Sequence, residues 1–115
     1  MSQIGILQKR SLPLIYKIIL SDEAKKYLGT LDVKTRTVIS RKIESLKESP
    51  DTQGKQLSGN LARFRTIHAA GRYRVIYEVK TETIMVMVIA VGIRKEGAKV
   101  DVYETMKKLL RLKIL

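Results

Sequence analysis

Two neighbouring runs decide the fold, namely RYRVIYEVK at residues 72–80 and TIMVMVIAV at residues 83–91. Both are rich in β-branched and aromatic residues, and only a short polar turn separates them. A third run of the same kind precedes them at residues 61–69, with Gly71 in the turn between. Three such runs joined by short turns predict the strands of an antiparallel meander. Because residues 84–91 are apolar at every position, we expect this strand in the middle of the sheet, covered on both faces.

The chain before the meander has the periodicity of a helix. Residues 16–20 favour a short strand, and Ser21, followed by two carboxylates, is typical of a helix N-cap. Apolar residues then recur at i, i+3, i+4 and i+7, which predicts one apolar stripe. The stripe consists of Ala24, Tyr27, Leu28 and Leu31.

A second helix is predicted directly after the first. Asp32 can cap its N-terminus, and Ser49-Pro50 ends it. Its apolar face is expected to contain Val38, Ile39, Ile43 and Leu46. Two consecutive helices joined by a short connection predict a helix hairpin.

A final helix follows a charged loop after Gly92, because four apolar residues share one helical face. These residues are Val102, Met106, Leu109 and Leu110. The element order predicts an α+β fold in which an N-terminal strand and a two-helix hairpin pack on an antiparallel β-sheet, with a C-terminal helix. We expect residues 1–14 to be a flexible N-terminal extension and residues 15–115 to form a single domain.

The composition narrows the possible partners and compartments. The chain has 115 residues with 23 Lys and Arg against 11 Asp and Glu, and its formal net charge of +12 indicates an anionic partner. The longest apolar run, residues 84–93, is about half of what a membrane-spanning helix needs, so no membrane partner is expected. The chain has no cysteine, which excludes disulfides, a thiol nucleophile and cysteine-based metal sites. This also fits a reducing compartment, and we expect a cytoplasmic protein.

The positive charge is concentrated in one part of the chain. Between Thr52 and Tyr77 there is no Asp or Glu. The basic residues of this segment are Lys55, Arg63, Arg65, Arg72 and Arg74, together with His68. Period-two spacing on adjacent strands predicts that the pairs Arg63/Arg65 and Arg72/Arg74 lie side by side. Like charges in this arrangement are costly unless a phosphate relieves them, whereas a merely solvated face would interleave acids with the bases.

A second basic cluster lies on the final helix. It consists of Lys107, Lys108, Arg111 and Lys113. A solvated helix face that complements the C-terminal end of the helix dipole would have the same composition. The cluster alone therefore does not indicate a function.

The chain lacks the residues that most enzyme classes require. His68 is the one histidine, no Gly-x-Ser-x-Gly motif is present, and no glycine-rich loop could cradle a nucleotide. The carboxylates are scattered, so we expect neither a metal site nor a cofactor. Cleavage of RNA remains open, because the 2′-hydroxyl is a built-in nucleophile and arginines can stabilise the charge that develops on the phosphate.

Several short motifs in a fixed order carry a family resemblance. They are KQLSGNL at residues 55–61, Phe64-Arg65, RYRVIY at residues 72–77, VGIRK at residues 91–95 and Val102-Tyr103. On the predicted helix hairpin and meander, this set resembles the bacterial RelE/ParE superfamily of toxins, and the RelE branch in particular, over residues 15–113. The resemblance implies a type II toxin–antitoxin system toxin that cleaves mRNA in the ribosomal A site without a metal.

The resemblance also implies roles for individual residues. Arg74 and Arg94 are expected to contact and stabilise the scissile phosphate, and Tyr103 to orient the substrate or stack on it. Arg65 matches a position that is often lysine in the family, and since an arginine stays protonated it can only bind and stabilise. The general base is left open between Lys55, His68 and Tyr103. The residues expected to bind substrate are Lys55, Arg63, His68, Arg72 and Lys95.

The partners implied by the resemblance are a cognate acidic, RelB-like antitoxin in a hetero-oligomer, and the ribosome with its mRNA. Two alternatives remain open on the sequence, namely a ParE-like inhibitor of DNA gyrase and a non-catalytic RNA-binding module. The nuclease hypothesis requires that Arg65, Arg74 and Arg94 converge in one pocket without an opposing acid.

Overall fold

A computed structural model describes residues 14–95 and 101–112. The elements are β1 (Lys17–Leu20), α1 (Asp22–Gly29), α2 (Val33–Glu44), β2 (Lys55–Gln56), β3 (Arg65–His68), β4 (Tyr73–Lys80), β5 (Met85–Ile93) and α3 (Val102–Arg111). The predicted α+β fold, with a helix hairpin, a meander and a C-terminal helix, is confirmed. The extension predicted at residues 1–14 lies outside the described residues except for Leu14, and so does Lys113.

The five strands form one sheet in the order β1-β5-β4-β3-β2. The pairs β2/β3, β3/β4 and β4/β5 are antiparallel, so the predicted meander is present. The strand β5 lies between β1 and β4, as its apolar character on both faces predicts. Two features were not predicted. β1 pairs with β5 in parallel, and the two-residue strand β2 extends the opposite edge.

Both predicted N-caps of the helix hairpin are present. The Ser21 hydroxyl accepts a hydrogen bond from the backbone N–H of Ala24 at 3.0 Å. The Asp32 carboxylate accepts one from the backbone N–H of Thr35 at 3.1 Å. Hydrogen bonding by the side chain and backbone of Thr35 lowers the pKa of Asp32 below its ordinary value. These caps satisfy helix N–H groups that otherwise lack partners and so begin each helix at a defined residue.

The larger core lies between the sheet and the helix hairpin. It contains Ala24, Leu28, Ile39, Ile43 and Leu46 from the hairpin and Ile67, Val75, Tyr77, Val86, Val88 and Val91 from the sheet. Val38 was predicted on the same face, but it is 42% exposed. Its neighbour Ile39 is fully buried, and since successive helical residues are about 100° apart around the axis, Val38 lies at the edge of the buried face.

A smaller core lies on the other face of the sheet, beneath α3. It contains Leu61, Phe64, Ile76, Ile89, Ala90, Val102 and Met106. Gly92 allows α3 to approach the sheet, because a Cβ at this position would lie 3.0 Å from the Cβ of Val102. The two faces of the sheet therefore carry cores of different size, and the smaller one leaves room for a cleft.

Across residues 14–95 and 101–112, no helix is long and apolar enough to cross a bilayer.

Candidate functional site

A cleft of about 920 Å³ opens between α3 and the end of the sheet formed by β2 and β3. Its walls include Thr66 on β3 and Tyr103 on α3, and the turn that contains Ser58 and Asn60 forms its rim. Its cationic lining residues are Lys42, Lys55, Arg74, Arg94 and Lys107, together with His68. Among the described residues that line it, none is an Asp or Glu. The positive charges outnumber the acids beside them, which are Asp101 next to Arg94 and Glu104 next to Lys107, so the cleft favours an anionic ligand.

Strand register brings the central residues to the cleft. His68 on β3 pairs with Arg74 on β4, and Arg74 pairs with Gly92 on β5. Residues that are paired across strands share a face of the sheet, so these positions lie on the side of α3. Arg94 follows two residues after Gly92, and its backbone N–H donates to the carbonyl of Arg72 at 2.8 Å. The end of β5 is thereby held beside the start of β4.

Arg74 is held by the turn beside it. Its Nη1 donates to the carbonyl oxygens of Gly71 at 3.2 Å and Tyr73 at 3.1 Å. In the part of the chain that the structure describes, Arg74 makes no ion pair with a carboxylate. Bonds to neutral carbonyls orient the guanidinium without neutralising its charge. Arg74 thus presents an oriented cation to the cleft.

Arg94 and Tyr103 form a stacked pair on the α3 side of the cleft. The guanidinium carbon of Arg94 lies 4.8 Å from the centroid of the Tyr103 ring. The Tyr103 hydroxyl is 3.1 Å from the hydroxyl of Thr66, within hydrogen-bond distance, and either group can donate. Cation–π stacking and this hydrogen bond fix the ring between strand β3 and the guanidinium. Three separate segments therefore meet at Tyr103.

Asp101 is a component of the site that the sequence analysis missed. Its carboxylate is 3.9 Å from Nη1 of Arg94, which corrects the expectation that the pocket has no opposing acid. The carboxylate also accepts hydrogen bonds from the N–H groups of Lys95 at 2.6 Å and Tyr103 at 3.1 Å. A signal was present in the sequence, since Asp101 and Glu104 have the D-x-x-E spacing of a capped helix start. Lys42, from the helix hairpin, gave no such signal.

Arg65 does not lie in the cleft, contrary to expectation. On β3, Thr66 and His68 face α3, so Arg65 and Ile67 face the helix hairpin. The Arg65 guanidinium donates to the carbonyls of Gln53 at 2.9 Å and Gly54 at 3.4 Å, and thus holds the loop before β2.

The hydroxyl of Tyr77 binds the same loop as Arg65. Its oxygen lies 2.8 Å from the carbonyl oxygen of Pro50 and 2.9 Å from that of Gln53, and its one proton is shared between these two acceptors. Burial raises the pKa of Tyr77 above its ordinary value, and the hydrogen bond and charge of Arg65 oppose this shift. Arg65 and Tyr77 therefore form a structural cluster on the face of the sheet that carries the helix hairpin.

The other predicted basic residues are divided between the cleft and its surroundings. Arg63 precedes β3 instead of lying on it, and it stacks on Phe64 at 4.7 Å and lies 3.9 Å from the carboxylate of Glu78. Arg72 lies in the hairpin turn before β4, so the two predicted arginine pairs are not side by side. Lys95 contributes its backbone N–H to Asp101, and its side chain is not among the cleft residues. The expected pairing was wrong because the tight turn at Gly71 sets a register in which Arg74 is opposite His68 and Arg65 is opposite Tyr77, so the arginines of the two strands lie apart along the hairpin.

The chain has a five-stranded sheet with a helix hairpin on one face and a cationic cleft on the other. It is therefore a small, basic α+β protein with a concave site that suits an anion. The family model described as the ParE toxin of the type II toxin–antitoxin system parDE matches residues 18–97. The chain therefore belongs to this toxin family, as the resemblance of its motifs predicted.

Individual relatives come from the RelE branch of the superfamily. The mRNA interferase toxin RelE of Escherichia coli (strain K12) is 28% identical over 96 residues, which cover 83% of this chain and 98% of RelE. The solved structure of an arginine double mutant of E. coli RelE in the free state matches with a TM-score of 0.65 at 27% identity, covering 82% of this chain and 96% of that one.

A toxin–antitoxin complex is also among the similar structures. A chain of the intact E. coli RelBE complex matches with a TM-score of 0.62 at 27% identity, covering 70% of this chain and 99% of that one. The fold and the family are thus those of a type II toxin of the RelE/ParE superfamily.

Proposed function

We propose that this toxin is an endoribonuclease that cleaves mRNA in the A site of the ribosome. The proposal rests on the meeting of Arg74, Arg94 and Tyr103, from three segments, in one cleft. The stricter condition set from the sequence is not met, because Arg65 lies on the other face of the sheet and Asp101 is 3.9 Å from Arg94. Two guanidinium groups from separate segments still border one cleft. A phosphodiester on which negative charge increases during reaction is the ligand that such an arrangement stabilises best. The relative named as an mRNA interferase, matched over 98% of its length, supports the same reaction.

The proposed reaction is attack by the 2′-hydroxyl on the adjacent phosphate. The 2′-oxygen forms a bond to phosphorus, and the bond from phosphorus to the 5′-oxygen of the next nucleotide breaks. The products are a 2′,3′-cyclic phosphate and a 5′-hydroxyl. The 2′-hydroxyl gives its proton to a base, and the departing 5′-oxygen receives one. The guanidinium groups of Arg74 and Arg94 stabilise the additional negative charge on the phosphate, and no metal takes part.

The remaining cleft residues are proposed to position the message and move protons. Tyr103 stacks on or orients the nucleotide, since its ring is already held by Arg94 and by Thr66. Tyr103 is also one of three candidates for the general base, and the other two, Lys55 and His68, line the same cleft. Arg65, which faces the helix hairpin, is left out of this chemistry and acts on the fold.

The proposed partners are the ribosome with its mRNA and a cognate acidic antitoxin. A net charge of +12 suits both rRNA and an acidic protein segment. The similarity to a chain of the RelBE complex supports an antitoxin that binds this chain as a hetero-oligomer. Action on translating ribosomes implies a cytoplasmic protein.

The experiment is induction of the full-length chain in a bacterial host, followed by mapping of mRNA ends. The wild type is expected to stop translation and leave cuts within translated messages. The double variant Arg74→Ala/Arg94→Ala is expected to lower cleavage by at least about 10³-fold, because it removes both phosphate contacts. The matched control is Lys25→Ala/Lys26→Ala, which removes two exposed charges on α1 and should cleave like the wild type.

A second candidate function follows from the family description itself, which names ParE toxins. A ParE-like inhibitor of DNA gyrase would cause DNA-damage signalling while messages stay intact. That outcome, or unchanged cleavage by the arginine double variant when it is folded, would contradict the nuclease proposal. The fold is common to both activities, so the mRNA ends decide between them.

A further inference from the structure

We propose that Asp101 is a positioning residue of the cleft, which fixes Arg94 against the Tyr103 ring in the geometry used for catalysis. The inference rests on the nuclease function proposed above and assigns a residue outside the set that the sequence indicated. It starts from a buried carboxylate, since the Asp101 side chain is only 4% exposed. A buried carboxylate is costly unless hydrogen bonds and an opposite charge compensate it.

Among the described residues, three groups compensate the Asp101 carboxylate, and all come from the segments that carry Arg94 and Tyr103. Oδ1 accepts from the N–H of Lys95 at 2.6 Å, and Oδ2 accepts from the N–H of Tyr103 at 3.1 Å. Oδ2 also lies 3.9 Å from Nη1 of Arg94. One side chain thus contacts the start of the segment after β5 and the beginning of α3. These segments carry Arg94 and Tyr103, two of the three side chains proposed to act on the substrate.

The contacts of Asp101 set the direction of the guanidinium. The Asp101 carboxylate lies on one side of Arg94, and the Tyr103 ring lies beneath it with the ring centroid 4.8 Å from the guanidinium carbon. The Arg94 side chain is 40% exposed, so a phosphate can still reach it. A charge held in place before the substrate binds needs no reorganisation during reaction, which is the usual source of electrostatic catalysis.

Helix capping alone does not account for Asp101. Asp32 caps α2 in the same way, with its carboxylate accepting from Thr35, yet Asp32 is exposed and makes none of the site contacts. The pair offers a matched comparison, because serine is as good an N-cap as aspartate but carries no charge. Asp101→Ser should retain the helix start and lose the contacts with Arg94 and Lys95. Asp32→Ser changes a cap of the same chemistry at a residue that does not line the cleft.

The first measurement is single-turnover cleavage of a defined message on purified ribosomes. Asp101→Ser is expected to lower the maximal rate by on the order of 10- to 100-fold with little change in the toxin concentration for half-maximal rate, because Arg94 is misplaced but present. Asp32→Ser is expected to match the wild type. In an Arg94→Ala background, Asp101→Ser should cause a much smaller further loss, since Asp101 acts through Arg94. An equal loss in both backgrounds would overturn the proposal, as would a wild-type rate for Asp101→Ser.

The second measurement does not depend on nuclease activity. The ¹⁵N–¹H signal of the Arg94 Nε group is expected to be dispersed and slowly exchanging in the wild type and in Asp32→Ser. In Asp101→Ser it should move to the position of a mobile arginine. An unchanged signal would overturn the positioning role even if the variant cleaves slowly. If the wild type cleaves no message, the proposed nuclease function fails, and the Arg94 signal still decides whether Asp101 positions Arg94.

Discussion

The two faces of the sheet differ in what their polar residues contact. On the hairpin face, Arg65 and Tyr77 donate to backbone carbonyls of the loop at residues 50–54 and close a large apolar core. On the α3 face, Arg74 and Arg94 border a cleft that is open to solvent. The same residue type therefore serves the fold on one face and the proposed chemistry on the other. Whether a strand arginine stabilises the fold or borders the cleft depends on the face of the sheet to which it points.

The largest change in stability is expected in the core beneath the helix hairpin. Ile39→Ala removes a fully buried side chain and should lower the free energy of unfolding by about 2–5 kcal/mol, because it leaves a cavity. The control is the adjacent Val38→Ala, at a position 42% exposed, which should cost less than about 0.5 kcal/mol. Urea unfolding measures both variants. Equal losses would mean that Val38, as first expected from the sequence, shares the buried face.

A pair of arginine variants compares the roles of the two faces of the sheet directly. Arg74→Gln is expected to lower the cleavage rate about 100-fold, because its charge is used on the phosphate, and to cost no more than about 1 kcal/mol of stability for its bonds to Gly71 and Tyr73. Arg65→Gln should instead lower the free energy of unfolding by about 1–2 kcal/mol, because it breaks hydrogen bonds to Gln53 and Gly54, and it should keep the cleavage rate per folded molecule. Thermal unfolding and ribosome assays test both. A catalytic loss in folded Arg65→Gln would contradict this division.

Replacing Tyr77 is expected to cause a smaller loss of stability that depends on pH. Tyr77→Phe loses the bonds to Pro50 and Gln53 and should cost about 1 kcal/mol. Because burial raises the pKa of Tyr77, its contribution is complete below the unfolded pKa of about 10 and is lost as pH rises through the folded pKa. Urea unfolding from about pH 8 to about pH 11 should therefore show a shallower alkaline decline in Tyr77→Phe. An identical decline in the wild type and in Tyr77→Phe would show that burial does not stabilise the neutral form of the Tyr77 hydroxyl.

The smallest stability change is expected on the α3 wall of the cleft. Lys107 pairs with Glu104 at 3.3 Å, but both side chains are more than half exposed, so Lys107→Ala should change stability by less than about 0.5 kcal/mol. Since Lys107 lines the cleft, ribosome binding should still weaken severalfold, and less so at high salt. Lys25→Ala on α1 is the control for lost charge. Equal weakening by both variants would mean that net charge, and not the cleft, determines binding.

Most of the fold was predictable because its signals are local. The caps at Ser21 and Asp32 and the apolar run at residues 84–91 gave the right elements from short stretches of sequence. The strand β2 was missed because two residues carry no periodicity. The parallel pairing of β1 was missed because it depends on the path of the whole chain between residues 20 and 85.

The cleft was predictable only in part. Arg74, Arg94 and Tyr103 were identified through a family resemblance and do line one cleft, whereas their roles stay predictions. Arg65 was placed on the wrong face because alternation gives two faces without saying which one is buried. The D-x-x-E spacing indicates Asp101 as a helix cap, but its contact with Arg94 depends on tertiary packing. The approach of Lys42 to the cleft depends on the same packing, and no spacing indicates it.

The most direct test uses a ribosome-bound message with one 2′-deoxynucleotide at the mapped cleavage position. With the all-ribose message, the wild-type toxin is expected to produce a 2′,3′-cyclic phosphate and a 5′-hydroxyl. With the deoxy-substituted message, cleavage at that position should disappear while the toxin still binds, because the nucleophile is missing. Cleavage of the deoxy-substituted message at the same position would contradict the proposed reaction.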